Sequence, residues 1–389
     1  MKPFRILIAP TAFKGTLSAP CAAEIIQSTL ATALPDAILD SCPMADGGDD
    51  TLAVLQVGLP ALRRFETTVT GPLPDQTVTA LYGVLPKERL AIIEAAQAHG
   101  MVRLPRKGDQ LALSPMQATS YGAGQLIRQV IHRWPGLETL IVSLGGSAST
   151  DGGAGALQAL GIRFYDATGK LIADPIGGGA LNQIDRADFP PIEAWPQQLA
   201  LRILTDVTNP LLGPNGSAAV FSPQKGAAEK QVEQLEAGLA HFARCLPGST
   251  ERNLTRLPGA GAAGGLAFGL AHLPNATIDS GFEWLSQRLD LSERIASAHL
   301  VITGEGRLDS QSLSGKVTGS LIRLAAGRPV WVVCGQAAPD LVLPPSVHVL
   351  SLASVAHNEQ ESLQAPGTVL RRALEQAFPA IQATLHLGG

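Results

Sequence analysis

The chain has 389 residues, and at about 100 to 200 residues per domain that length predicts two domains with room for a large core. Hydrophobic residues make up 45% and charged ones 16%, with 41 Gly, 28 Pro and only 4% aromatics, which excludes disorder and coiled coil and fits a packed protein rich in turns. A formal charge of -4 supplies no cationic surface for a nucleic-acid backbone or an anionic membrane, so a small-molecule ligand is expected.

In chain order, RILIAP reads as a short apolar strand stopped by Pro10, and Ser18 to Thr32 carries apolar residues at helical spacing behind Ser18 as N-cap. AILDSCPMADGGDDTLAVL repeats the plan, with a strand near Ile38 to Pro43, a Gly-bearing loop and a helix from about Asp49. ETTVTGPL and TVTALYGVL alternate, are rich in Thr and Val, and flank a Pro-Asp turn, which predicts antiparallel pairing. AIIEAA, a helix near Ser120 to His132, the apolar run TLIVSLGG, a helix after Asp151 and LRILTDV follow. At the back, HLVITGEG, PVWVVCG and VHVLSL return to strand and loop. The expected fold class is α/β. A doubly wound, flavodoxin-like parallel-sheet domain uses residues 1–64 and 288–389, and a mixed-sheet α/β domain, 65–287, is inserted into it.

Cys21, Cys42, Cys245 and Cys334 form no CxxC pair, so neither a zinc knuckle nor a redox pair is visible and a reducing compartment follows. The apolar part of MKPFRILIAP is too short for a signal peptide. No segment reaches the roughly 20 apolar residues that cross a bilayer. A cytoplasmic location is expected.

The most informative stretch is LIVSLGGSASTDGGAGALQALG, in which a strand enters a loop of Gly145, Gly146, Ser147, Ser149, Thr150, Asp151, Gly152 and Gly153 before a helix. Glycines let main-chain N–H groups converge on an anion, hydroxyls add donors, and the helix N-terminus adds partial positive charge. Phosphate or carboxylate is the expected ligand, and a branched side chain at Gly152 is expected to block it without unfolding the protein. The segment also reads as a tight turn capped by Asp151. In PMADGGDDT, Asp46, Asp49 and Asp50 concentrate charge that a Mg2+ ion would bridge to phosphate, and Asp49 and Asp50 equally suit the first turn of a helix.

Asp206 ends LRILTDV before a rigid Asn-Pro turn, placed either to hold a hydroxyl or metal or to cap the turn. Lys14, Lys225 and Lys316 follow strand-ending loops or turns where lysine can partner phosphate. Gly259, Gly261 and Gly264 have GxGxxG spacing, with Asp279 at the distance of a ribose-binding acid, so a nucleotide-linked dehydrogenase is the alternative. Against it, ERNLTRLP precedes the glycines where a buried strand is required. A non-catalytic nucleotide or organic-acid sensor is the other alternative. HLVITGEGRLDSQSLSGK presents Glu305, Arg307, Asp309, Gln311 and Ser312, and its Gly315-Lys316 lacks Walker A spacing.

Taken together, IAPTAFKGTLSA, PMADGGDDT, AIIEAAQAHGM, GGSASTDGGAGALQALGIRF, DVTNPLLGPNGSAAVFSPQKGA, PGAGAAGG and VITGEGRLDSQSLSGK resemble the bacterial glycerate kinase family without a P-loop. The resemblance implies phosphorylation of D-glycerate by ATP and Mg2+ to 2-phosphoglycerate, with two α/β domains and an active site in the cleft between them. It places Lys14, Asp46, Asp151, Asp206, Lys225, Glu305, Arg307 and Asp309 in or near that cleft. The roles expected are orientation or deprotonation of the hydroxyl by Asp206, anion holding by Lys14 and Arg307, a nucleotide cradle from Gly145 to Gly153 with Lys225 and Glu305, and metal contact by Asp46 and Asp206. Thr11-Ala12 stands where the family usually has Asp-Ser, a departure at a substrate or metal contact.

Overall fold

The computed structural model describes residues 3–108, 110–192, 195–249, 251–313, 317–325 and 327–387. Lys316 lies outside the described residues. The chain divides into two compact units: Met1–Asp46, Ala53–Pro60 and Phe282–Gly389 form the first, and Gly47–Leu52 with Ala61–Gly281 the second.

The strands that build the two sheets are β1 (Arg5–Pro10), β2 (Ile38–Ser41), β3 (Arg63–Thr70), β4 (Thr77–Leu85), β5 (Leu90–Glu94), β6 (Thr139–Ser143), β7 (Ala200–Leu204), β8 (Ala276–Asp279), β9 (Leu300–Leu308), β10 (Val330–Ala337) and β11 (Val347–Ser351). In the first unit the order is β11-β10-β9-β1-β2, and every pairing is parallel. Strand order reverses beside β1, which makes the carboxyl ends of β1 and β9 the switch point where such sheets accept ligands. The apolar strands are buried because helices cover them: α1 (Ala19–Ala33) buries Ala19, Ala22, Ala23, Ile26 and Leu30 along one face. Ser18 accepts from the Cys21 amide at 3.3 Å, the expected cap.

In the second unit the order is β8-β7-β6-β5-β4-β3. β5 to β8 pair in parallel, whereas β3 and β4 form the expected antiparallel hairpin and β4 pairs antiparallel with β5. The sheet is therefore mixed, as expected. The predicted helix after the first Gly-Gly loop, α2 (Thr51–Gly58), starts two residues beyond Asp49, because Asp50 turns the chain with φ 66°. α3 (Tyr121–Arg133) and α4 (Ala154–Ala159) match the helices expected near Ser120 and after Asp151.

α5 (Glu229–Cys245) packs Leu235, Leu239, Phe242 and Ala243 into the core of this unit. Its Phe242, fully buried, meets Phe164 and Phe268 edge-on with ring centroids 5.7 and 6.3 Å apart. Phe242→Ala should destabilise the fold by about 3 to 5 kcal/mol, the range for an aromatic truncation in a packed core, read as a lower urea midpoint at unchanged slope.

Candidate active site

In an open α/β sheet, side chains of use to a ligand gather at the carboxyl ends of parallel strands. In the first unit, Thr11 donates its amide and hydroxyl to the Gly304 carbonyl at 2.7 and 3.0 Å, joining the loop after β1 to β9. A side chain at Gly306 would begin 3.2 Å from the Lys14 amide, so Lys14 and the Glu305–Arg307 segment are neighbours. The chain after β2 runs along the same end, with the Met44 amide donating to the Pro10 carbonyl at 2.9 Å, and Asp46 follows two residues later. Lys14 and Arg307 are exposed. Ser312 donates its hydroxyl to Glu305 Oε2 at 2.9 Å. Asp309 Oδ1 accepts the Gln311 and Ser312 amides at 3.0 and 3.1 Å, an Asx turn that gives Asp309 a local structural task.

In the second unit the loop after β6 divides into two parts. Gly145 is half-buried and Gly146 exposed, while residues 147–153 are buried. Asp151 Oδ2 accepts the Ser120 amide and hydroxyl, both at 2.7 Å, and the Gly155 amide at 3.3 Å, and Oδ1 accepts the Gly153 amide at 3.3 Å. The Ser120 hydroxyl also accepts the Ala156 amide at 2.9 Å. The first amides of α4 are thus taken by the protein itself, and Asp151 stands where a bound anion would have stood.

The expectation for Gly152 is also corrected. It has φ 63°, and a side chain there would meet Phe242 at 2.9 Å and Leu239 at 3.0 Å, so a branched replacement strikes the core instead of screening a ligand. Gly152 and Gly153, with Asp151, shape the loop. Gly145, half-buried, and Gly146, exposed, are the part that faces outward.

Lys225, 3% exposed, donates to Ser147 Oγ at 3.0 Å and to the Ser149 carbonyl. It clamps the loop from within. Burial lowers its pKa from 10.5 to about 7, with Asp151 pulling it back up. His99, fully buried beside them, holds Nδ1 2.8 Å from the Ala95 carbonyl; burial lowers its pKa, Asp151 raises it and Lys225 lowers it. Its carbonyl accepts the Ala148 amide at 2.9 Å, so a histidine without any metal-binding spacing belongs to the loop's support.

Asp206, half-buried just beyond β7, accepts the Ser280 hydroxyl on Oδ1 at 2.7 Å. The GxGxxG segment carries no dinucleotide fold. A short 3-10 turn, Leu254–Arg256, precedes it in place of a strand. Asp279 ends edge strand β8 and bonds Arg202 at 2.9 Å. The predicted helix start there, α6 (Ala262–Leu270), contains left-handed residues at Ala263, Gly264 and Gly265, and the Gly264 carbonyl accepts the Gly152 amide at 2.9 Å.

Glu94 escaped the sequence reading. It ends β5 as Asp206 follows β7, so the same strand-end signal was present inside AIIEAA. It is 6% exposed, and burial raises its pKa, with the Leu52 and Gln97 hydrogen bonds opposing and Asp49 and Asp50 adding to the rise. The sheets therefore gather Lys14, Asp46, Glu305 and Arg307 in the first unit, and Glu94, the outward glycines, Lys225 and Asp206 in the second.

A family model described as the glycerate kinase family matches residues 6–382. The chain is 40% identical to an uncharacterized protein of Synechocystis over 96% of its own length and 97% of that protein. It is 38% identical to the glycerate 2-kinase of Escherichia coli K12 over 87% of its length and 86% of that protein. A crystal structure of a Salmonella typhimurium LT2 protein assigned as glycerate kinase 2 superposes with TM-score 0.77 at 33% identity, covering 98% of this chain and 99% of that one.

The buried lysine makes a pH test. Its folded pKa lies below its unfolded one, so between about pH 7 and 10.5 the unfolded chain binds more protons and stability should rise with pH; below 7 the cost of the buried charge is fully present. Lys225→Met should flatten that rise in urea midpoints measured from pH 7 to 10.

Proposed function

Since the chain belongs to the glycerate kinase family and is a kinase, we propose that it transfers the γ-phosphoryl group of ATP to the 2-hydroxyl of D-glycerate, giving 2-phosphoglycerate. The observation that carries this reading is a glycine loop and a fixed carboxylate at neighbouring strand ends. β6 and β7 pair in parallel with Ser143 opposite Leu204, the loop leaves β6 at Gly145, and Asp206 leaves β7 with its direction set by Ser280.

Phosphoryl transfer asks a protein for position and charge more than for covalent chemistry. In this reading Gly145, Gly146 and Ser147 offer main-chain and hydroxyl donors to the nucleotide phosphates, and Lys225 keeps that loop in shape. Asp206 orients the acceptor hydroxyl and takes its proton. Lys14 and Arg307 hold the glycerate carboxylate or the transferring phosphoryl group, and Glu305 is assigned to the nucleotide.

Mg2+, when bound, neutralises charge on the β and γ phosphates. Asp46 and Asp206 are each proposed as its carboxylate ligand, and their hard oxygens fit the ion. Among the described residues no three His, Cys, Asp or Glu side chains are grouped to hold a metal. An ion that takes one or two carboxylates and completes its shell with phosphate oxygens and water needs no such group.

Turnover of D-glycerate with ATP and Mg2+, with the product identified by phosphorus NMR, tests the reading. Full activity after exhaustive chelation would sink the metal, and activity confined to unrelated alcohols would sink the substrate. Asp206→Asn should lower kcat by about a hundredfold to ten-thousandfold, the usual worth of a general base, while nucleotide affinity survives in calorimetry. If Asp206 serves the metal instead, the variant should recover rate as Mg2+ is raised.

A further inference from the structure

The segment Gly47–Leu52 belongs to the second unit although the chain on both sides of it belongs to the first. It lies along the carboxyl ends of the parallel strands. A side chain at Gly47 would begin 2.7 Å from Gly281 Cα and 3.2 Å from Leu204 Cβ, and one at Gly145 would begin 2.7 Å from Gly48 Cα. The Asp49 carboxylate lies over Gly146, with Oδ1 2.7 Å from where a side chain there would begin. Thr51 closes the turn by donating its hydroxyl to the Gly48 carbonyl at 2.9 Å. Contacts between main-chain atoms exclude side chains but have little directional preference, so they permit sliding.

Glu94 supplies direction. Its Oε1 accepts the Leu52 amide at 2.6 Å, and its Oε2 accepts Gln97 Nε2 at 3.0 Å. Gln97 Oε1 in turn accepts Arg103 Nη2 at 2.6 Å. One carboxylate oxygen is thus held by a side-chain relay while the other holds the segment's main chain. A buried acid is costly unless such bonds repay its desolvation.

We propose that Glu94 is a positioning residue for phosphoryl transfer, seating Gly47–Leu52, and with it the Asp49 and Asp50 carboxylates, against the outward glycines of the loop after β6. The proposal rests on the kinase reading above. Glu94 acts through the segment, so what the site needs from it is an acceptor of the right shape. Glu94→Gln alone would set an amide nitrogen against the Gln97 Nε2 donor, whereas Glu94→Gln combined with Gln97→Glu keeps an acceptor for the Leu52 amide, faces a donor with an acceptor between the two side chains and keeps an acceptor for Arg103.

The double exchange Glu94→Gln with Gln97→Glu, set beside Glu94→Leu, separates seating from the identity of residue 94. Hydrogen exchange at the Leu52 amide of the unliganded protein should speed up about 10- to 100-fold in Glu94→Leu, as expected when a buried donor loses its acceptor, and stay within about threefold of wild type in the double exchange. With D-glycerate and MgATP, Glu94→Leu should lose about 10- to 100-fold in kcat/KM, chiefly through a higher KM for MgATP, and the double exchange should keep most of its activity. Equal exchange in all three proteins overturns the seating. Equal loss of turnover in both variants, or none in either, overturns the positioning role. If Glu94→Leu does not fold, the double exchange decides: wild-type exchange and turnover support the proposal, and a loss of either overturns it. A wild-type protein without turnover defeats the kinase reading and the catalytic half of the proposal, while exchange still decides the seating.

Discussion

Main chain touches main chain around the loop that follows β6, and that contact constrains everything built near it. Gly48 lies against Gly145, where no side chain could fit, and the Gly152 amide reaches the Gly264 carbonyl at 2.9 Å. Backbone this close brings its amides and carbonyls out of water, and each must then find a partner. Asp151 and Ser120 answer for the amides at the start of α4, and Lys225 answers for the Ser149 carbonyl. Asp151, Ser120 and Lys225 are buried because the loop is.

Burying Lys225, Asp151, His99 and Glu94 is expensive in desolvation, and the cost shows in the direction of three pKa shifts: Lys225 and His99 fall and Glu94 rises. The return is rigidity. A loop whose donors are already oriented loses little entropy when an anionic ligand arrives, and fixed dipoles stabilise developing charge without reorganising. Phosphoryl transfer depends on that kind of preorganisation, since most of its catalysis is placement and electrostatics.

The two sheets solve one problem separately. Each is parallel where its candidate site residues lie, so each delivers several chain segments to one end. In the first unit β1 and β9 bring the loop of Lys14 beside the end of β9, the strand that itself carries Glu305 to Arg307. In the second, β5, β6 and β7 carry Glu94, the glycine loop and Asp206 side by side. The antiparallel hairpin of β3 and β4 extends the second sheet away from those ends.

What could be read from the chain alone was local. Apolar runs such as RILIAP and TLIVS, the Thr and Val alternation of the β3–β4 hairpin, and the strand, glycine loop, helix order at Asp46 and at Gly145 depend on neighbours within a few residues, and the strand-end position of Asp206 is visible for the same reason. Residues distant in sequence decided the rest. Gly152 looks alike in sequence whether it faces a ligand or Phe242, and 90 residues separate the two; Asp151 is claimed by Ser120, 31 residues away, and Glu94 by Leu52, 42 residues away. Hydrogen bonds and close contacts of that span follow from how elements pack, and packing is a property of the assembled sheet and helices that no single stretch of chain specifies.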